Sequence, residues 1–103
     1  MTATRALADS GLSSENIKEI IRILDGAGRV YLFGSRATKS WKKFSDVDLC
    51  VDSGKRIPDL KIAEWRDRFQ QSNLPYKADL VDFHEISDDF RNLIREQWIE
   101  IHL

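Results

Sequence analysis

The sequence predicts an α/β fold of the α+β type, in which a small mixed β-sheet carries helices on one face. The chain has 103 residues, which is the size of one small domain. Apolar residues recur with helical spacing in some segments and alternate with polar residues in others. Helical and extended segments follow one another closely along this short chain. This order favours helices that pack against a single small sheet.

Three segments show the apolar spacing of amphipathic helices. The first begins near Ser14 and ends before Gly26, which is a residue type that commonly ends helices. The second begins at Pro58, because proline suits the first turn of a helix, and runs to about Gln71. The third follows Ser87, which is a good N-cap residue. Its apolar stripe consists of Phe90, Leu93, Ile94, Trp98 and Ile101.

Three further segments are predicted to be strands. Residues 30–33 form a short apolar run of strand-forming residues between two glycines. Residues 46–51 alternate between polar and apolar side chains, which is typical of a strand with one buried face. Residues 76–83 show the same alternation. The polar positions of the last two strands are expected to lie on the face of the sheet that the helices do not cover.

The first dozen residues are set apart from the rest of the chain. Residues 1–12 show no sustained apolar pattern and are expected to form a flexible segment, whereas residues 13–103 are expected to form one domain. No apolar run approaches the ~20 residues that a membrane-spanning helix needs, and Cys50 has no second cysteine to pair with. These features predict a cytoplasmic protein without membrane attachment. The net charge of −1 argues against direct binding of nucleic acid.

Three aspartates are predicted to meet on the polar face of the sheet. Asp46 and Asp48 are two residues apart on one strand, so their side chains point the same way. Asp79 lies on the third strand and points to the face opposite that of the core residue Leu80. Asp82 is the alternative acid, although it lies on the same face as Leu80. Converging carboxylates suit Mg²⁺, and two such ions would activate an attacking oxygen and stabilise a leaving pyrophosphate.

A second group of residues is suited to binding phosphate. Gly34 and Ser35 follow the first strand, where glycine lets the backbone approach a phosphate and the serine adds a hydroxyl donor. Arg36 and Lys39 add positive charge, and Arg36 is interpreted equally well as a phosphate ligand or as the partner of a nearby acid. Together with the carboxylates, these groups predict a site for a nucleoside triphosphate.

The spacing of these residues resembles a known signature. Gly34-Ser35, ten intervening residues and Asp46-Val47-Asp48 are similar to the G-S-x₁₀-D-x-D motif of the DNA polymerase β-like nucleotidyltransferase superfamily. The stretches 42–49 and 78–83 resemble its minimal nucleotidyltransferase (MNT) branch, and the similarity covers about residues 14–101. Many members have Gly-Ser-Arg-Ala-Arg-Gly in the phosphate loop, whereas this chain has Thr38-Lys39 at the last two positions.

The resemblance implies roles for the candidate residues. Asp46, Asp48 and Asp79 would bind two Mg²⁺ ions and carry catalysis, with Asp79 helping to deprotonate the acceptor. Gly34 and Ser35 would hold the β- and γ-phosphates of the donor, which is expected to be ATP. The resemblance also implies transfer of AMP to a tyrosine of a HEPN-type helical partner, as in toxin–antitoxin pairs.

The length of the chain leaves no room for the extra helical domain of larger relatives. A HEPN-type protein, a substrate-binding subunit or a second copy of the chain is therefore expected to complete the pocket. Two alternatives remain open. The domain acts as an antitoxin that docks on its partner without chemistry, or it transfers a nucleotide to a small molecule, such as an aminoglycoside, in company with a substrate-binding subunit.

Overall fold

The computed structural model of the protein describes residues 7–102 and contains one mixed four-stranded sheet with three helices. This architecture confirms the predicted fold class. In chain order the elements are α1 (Ser14–Ile23), β1 (Arg29–Phe33), β2 (Val47–Asp52), α2 (Asp59–Gln70), β3 (Ala78–Asp82), α3 (Asp88–Gln97) and β4 (Ile99–Glu100). Within the described residues, no helix is both long enough and apolar enough to cross a bilayer.

The order of the strands places β2 between β3, which carries Asp79, and β1, which leads into Gly34. The sheet runs β3-β2-β1-β4, with β1 antiparallel to β2 and to β4, and β2 parallel to β3. The C-terminal end of β1 therefore meets the N-terminal ends of β2 and β3 at one end of the sheet. The strand β3 lies at the edge of the sheet.

The larger core lies between the sheet and the helices α1 and α2. Val47, Leu49 and Val51 of β2 are fully buried, as their alternation predicts. The helix α1 contributes buried isoleucines, and it begins with a capping box in which Ser13 and Asn16 exchange side-chain and backbone hydrogen bonds. The helix α2 buries the predicted face of Ile62, Trp65 and Phe69.

The helix α3 packs on the opposite face of the sheet, so the prediction that all helices share one face is wrong in this respect. A second apolar cluster joins Ile94 of α3 to Tyr31, Cys50 and Phe83. The ring of Trp98 stacks on that of Tyr31, with 3.8 Å between centroids. The physical reason is visible in β1, because a strand that is apolar at successive positions must be covered on both faces.

The third helix is also shorter than its apolar spacing predicts. The helix ends at Gln97, and Ile99 and Glu100 pair with Leu32 and Tyr31 as the short strand β4. This pairing covers the open edge of β1, and it buries Ile99 and Ile101 in the larger core. Sequence periodicity does not distinguish these positions from a last helical turn.

The described part of the N-terminal segment packs against the domain. Leu7 and Leu12 are buried in the larger core, and Ser10 is fully buried. Residues 7–12 therefore differ from the expectation of a flexible segment, because apolar side chains without regular spacing still reach the core. Residues 1–6 of that segment lie outside the described residues.

Candidate active site

The carboxylates of Asp48 and Asp79 are neighbours on the face of the sheet that α3 covers. The two residues are directly paired in the parallel register of β2 and β3, so their side chains lie on the same face. Asp46 precedes β2 by one residue and is exposed. Across the sheet, Asp48 is paired with Phe33 of β1, and Asp48 itself is only partly exposed.

This environment raises the pKa of Asp48 from 3.8 to about 6. Burial is the largest cause, and the charges of Asp79 and Asp46 add to it. The three predicted aspartates are thus electrostatically coupled. Crowded carboxylates of this kind are relieved when a cation binds among them.

The donor set fits a magnesium ion, although it is not a complete cage. Among residues 7–102, no three acidic, histidine or cysteine side chains are gathered closely enough to hold a metal by themselves. Magnesium in phosphate-transfer sites usually takes only one or two carboxylates, with waters and substrate phosphates as its other ligands. Asp48 and Asp79 meet that smaller requirement, and the charge of Asp46 also acts on Asp48.

Gly34 closes the site from the end of β1. Its φ is +78°, in the left-handed region, and a Cβ at this position would overlap the Asp48 carboxylate. The left-handed φ and the close Asp48 carboxylate therefore both favour glycine here. The turn that follows is held by the Gly34 carbonyl, which accepts hydrogen bonds from the backbone N–H groups of Ala37 and Thr38. Ser35 lies in this turn and is partly exposed.

Gln97 is a site residue that sequence reasoning missed. The backbone N–H of Gly34 donates a hydrogen bond of 2.9 Å to Gln97 Oε1. Gln97 is the last residue of α3, and it reaches Gly34 because α3 packs on the same face as Asp48. Gln97 follows the buried Ile94 by three residues, but no local pattern in the sequence indicates that its amide would meet a turn 63 residues away.

Arg36 does not face the site, and its predicted contact with phosphate is not supported by its position. The residue is 1% exposed. Its guanidinium donates to the Ser45 carbonyl through Nε and Nη2 and to the Ser10 carbonyl through Nη1, at 2.8–3.2 Å. It also stacks against Tyr76, 4.1 Å from the ring centroid. Arg36 therefore secures the N-terminal segment and the residue that precedes Asp46.

Lys39 stands where many members of the resembled family have glycine, and it adopts a backbone conformation that favours glycine. Its φ is +64°, which is unusual for a residue with a side chain. Its ammonium group lies 3.2 Å from the Asp9 carboxylate, and both side chains are largely exposed. The chain therefore adopts a left-handed conformation at this position without glycine, and the largely exposed Lys39 side chain remains accessible to an anionic ligand.

Asp82 has a separate, structural role. Its carboxylate is buried and accepts hydrogen bonds from the backbone N–H groups of Ile57 and His84, at 2.7 and 3.0 Å. It therefore holds the loop before α2 against the turn after β3. The structure thus pairs Asp79, and not Asp82, with Asp48.

Comparison with known proteins identifies the family. The family described as polymerase beta, nucleotidyltransferase matches residues 15–102. The chain belongs to the polymerase β nucleotidyltransferase family. The nucleotidyltransferase class that the sequence predicts is thereby confirmed.

Individual relatives of this nucleotidyltransferase agree with the MNT resemblance. It is 35% identical to the probable protein adenylyltransferase MntA of Haemophilus influenzae over 85 residues, which is 82% of this chain and 75% of that protein. Its fold is similar to that of a toxin–antitoxin complex crystallised with AMP-PNP, with a TM-score of 0.70 and 23% identity over 88% of this chain and 73% of that one. It is also similar to the complex of a tri-AMPylated Shewanella oneidensis HEPN toxin with its MNT antitoxin, with a TM-score of 0.67 and 22% identity over 88% and 72% of the two chains.

The raised pKa of Asp48 predicts how the stability of the metal-free nucleotidyltransferase depends on pH. The folded state holds the Asp48 proton more tightly than the unfolded state, so its contribution to stability is present below pH 3.8 and is lost as pH rises through about 6. The loss is at most about 3 kcal/mol. Urea unfolding of wild type and Asp48→Asn in EDTA measures it. The advantage of the asparagine variant is expected to grow between about pH 4 and 7, and a difference that is independent of pH would contradict this.

Replacing Gln97 with methionine is expected to weaken the binding of the nucleotide. Methionine has a similar length but cannot accept the Gly34 N–H, so the turn loses one hydrogen bond of about 1 kcal/mol. We expect KM for the nucleotide substrate to rise about fivefold with a smaller change in kcat. Glu96→Met, an exposed neighbour on the same helix, is the control. A lower KM in Gln97→Met would show instead that Gln97 competes with the nucleotide for the Gly34 amide.

Replacing Lys39 with glycine is expected to stabilise the fold. A left-handed residue with a side chain costs about 1–2 kcal/mol, and the flexibility of glycine in the unfolded chain offsets about half of that gain. The expected increase in the free energy of unfolding is therefore about 0.5–1 kcal/mol, measured by urea denaturation. Lys39→Ala loses the same charge but keeps the backbone strain. If both variants have equal stability, φ at this position is not strained.

Proposed function

We propose that this nucleotidyltransferase transfers AMP from ATP to a hydroxyl group of a HEPN-type partner protein, with a tyrosine as the acceptor. The acceptor oxygen forms a bond to the α-phosphorus of ATP, and the bond from that phosphorus to the bridging oxygen of pyrophosphate breaks. Pyrophosphate leaves with the electron pair of the broken bond, and the acceptor proton passes to a base.

One observation carries this proposal. The register of β2 and β3 sets Asp48 beside Asp79, and the left-handed turn at Gly34 comes so close that an added Cβ there would overlap the Asp48 carboxylate unless one of them moved. The Gly34 turn and the two carboxylates therefore lie next to each other. A triphosphate held at Ser35, in the turn that Gly34 makes possible, would have its reacting phosphorus beside the aspartates, and such positioning supplies much of the rate of phosphoryl transfer.

The acidic residues have distinct parts in this proposal. Asp46, Asp48 and Asp79 would hold Mg²⁺, which when bound screens the charge of the triphosphate and of the leaving pyrophosphate. Asp79 lies on the outer strand, where an acceptor approaches from outside the sheet, and it is placed to receive the proton of the acceptor hydroxyl. Lys39, whose exposed ammonium pairs with Asp9, would add a positive charge near the phosphates.

The choice of AMP and of a HEPN-type acceptor is supported by the relatives. The MntA protein of Haemophilus influenzae is described as a probable protein adenylyltransferase. The structurally similar MNT antitoxin of Shewanella oneidensis forms a complex with an AMPylated HEPN toxin. The open outer face at Asp79 leaves room for a protein acceptor.

The experiment that tests the proposal measures AMP transfer directly. The protein is incubated with ATP labelled at the α-phosphate, Mg²⁺ and a HEPN-type candidate partner protein. Label is expected on a tyrosine of the partner with wild type, and it is expected to be absent with Asp46→Asn and in EDTA. Equal labelling by wild type and Asp46→Asn would overturn the proposal. Neutralisation of the partner without ATP would instead indicate docking without chemistry.

A further inference from the structure

A groove runs along the outer edge of β3, between that strand and the C-terminal half of α2. Its volume is about 630 Å³, and it is formed by Arg66, Phe69 and Gln70 of α2 together with residues 77–81. Phe69 forms part of its floor and belongs to the core, whereas Gln70 is exposed. The groove is long enough to follow the strand over its first four residues.

The backbone of β3 is open toward this groove. The carbonyl of Lys77 accepts a hydrogen bond from Val47 N–H, and the N–H of Phe83 donates to the Val51 carbonyl. In a parallel ladder, alternate residues bond to the same neighbour, so the odd-numbered residues of β3 face β2, and Ala78 and Leu80 turn their N–H and C=O groups outward. Among the described residues, no strand lies beyond β3.

Only part of this edge is protected. Arg66 of α2 donates from Nη2 to the Leu80 carbonyl at 3.0 Å, which satisfies that one group. The outward groups of Ala78 and the N–H of Leu80 flank Asp79, and they offer hydrogen bonds to an added strand. The open section of the edge is thus the section beside the carboxylates.

Asp79 connects the groove to the active site. It lines the groove, and it is also the register partner of Asp48. The other charged residues of the groove are Arg66 and Lys77, and the largely exposed Lys77 ammonium lies 3.9 Å from the Asp79 carboxylate. A chain that lies in the groove therefore passes a carboxylate of the site and meets two positive charges.

We propose that the groove binds an extended segment of the acceptor protein, which adds to β3 as a fifth strand and presents its hydroxyl residue at Asp79. The two cations favour a segment with an acidic residue beside that hydroxyl. This inference rests on the proposed function. It assigns recognition of the protein acceptor to the β3 edge, apart from the residues that bind the nucleotide.

The test fills the groove without altering the carboxylates. Gln70→Trp places a large side chain in the groove, and Gln71→Trp places the same side chain on the next, exposed residue, which does not line it. With a HEPN-type protein that wild type labels as the probe, KM for that protein is expected to rise about tenfold or more in Gln70→Trp and to change less than about twofold in Gln71→Trp. The affinity for ATP is expected to stay the same in both.

A second variant tests the added strand itself. Ala78→Pro removes an outward N–H and leaves the bonds between β2 and β3 intact, whereas Ala78→Val keeps that N–H. The proline variant is expected to lose labelling of the partner and the valine variant to retain it.

The possible results separate the two proposals. If wild type transfers no AMP, the proposed function is wrong, and the inference falls with it. If wild type transfers AMP and Gln70→Trp does so equally well, only the inference is wrong. It is also overturned if Gln70→Trp weakens ATP binding or changes the oligomeric state, because the groove would then hold the nucleotide or a second copy.

Discussion

Replacing Asp48 with asparagine is expected to reduce AMP transfer by about a thousandfold or more while the protein becomes more stable above pH 6. The loss of activity follows because Asp48 is the residue that both neighbouring carboxylates and the Gly34 turn approach. A carboxylate that holds a catalytic metal contributes several kcal/mol to the transition state, and each 1.4 kcal/mol is a factor of about ten. The gain in stability follows because the asparagine side chain is neutral and ends the repulsion from Asp46 and Asp79.

The opposite signs of these two effects distinguish a functional aspartate from a structural one. Activity is measured as label transferred from α-labelled ATP, and stability as the midpoint of thermal unfolding in EDTA. Asp52→Asn is the matched control, because Asp52 is on the same strand and face but is bonded to His84 and to the backbone of Gly54, away from the site. Its activity is expected to stay within about twofold of wild type. A less stable Asp48→Asn would mean that this carboxylate supports the fold.

Replacing Gly34 with alanine is expected to abolish most of the activity by a different route. The new methyl group would overlap the Asp48 carboxylate, so either the turn or Asp48 must move. A displacement of about 1 Å in such a site costs about a hundredfold in rate. The left-handed φ adds a loss of stability of about 1–2 kcal/mol.

Gly26→Ala separates these two causes. Gly26 has a φ of +80°, close to that of Gly34, but an added Cβ there meets nothing within 4 Å. Both variants are expected to lose similar stability from backbone strain, and only Gly34→Ala is expected to lose activity. Steady-state transfer rates and urea unfolding of the two proteins give the comparison. Equal activity in both would show that the contact between Gly34 and Asp48 has no role in the reaction.

Local patterns in the sequence were sufficient to predict much of the site. The alternation through residues 46–51 predicts which side chains of β2 are buried, because the period of a strand is fixed by its backbone geometry. The alternation of side chains along β3 also favours Asp79 over Asp82 as the site residue, and the strand register and the hydrogen bonds of Asp82 agree with this preference. The fold class and the family are confirmed. The roles of the individual aspartates and of Mg²⁺ stay predictions.

The face on which α3 packs could not be predicted in the same way. An amphipathic stripe shows that a helix has one apolar side, but it does not show which side of a sheet that stripe will cover. This choice depends on Tyr31, Cys50 and Phe83, which strands distant in sequence bring together. Arg36 illustrates the same limit, since its burial depends on carbonyls from Ser10 and Ser45.

Local patterns in the sequence account for three of the four strands, the alternating carboxylates and the glycine-serine turn of this nucleotidyltransferase, because each depends on neighbours along the chain. The packing of distant segments sets Gln97 against Gly34, buries Arg36 and leaves the edge of β3 open beside Asp79. Those features depend on how strands and helices far apart in sequence come together. Local propensity and periodicity do not encode such long-range contacts, because the order of the strands and the packing of the core fix those contacts.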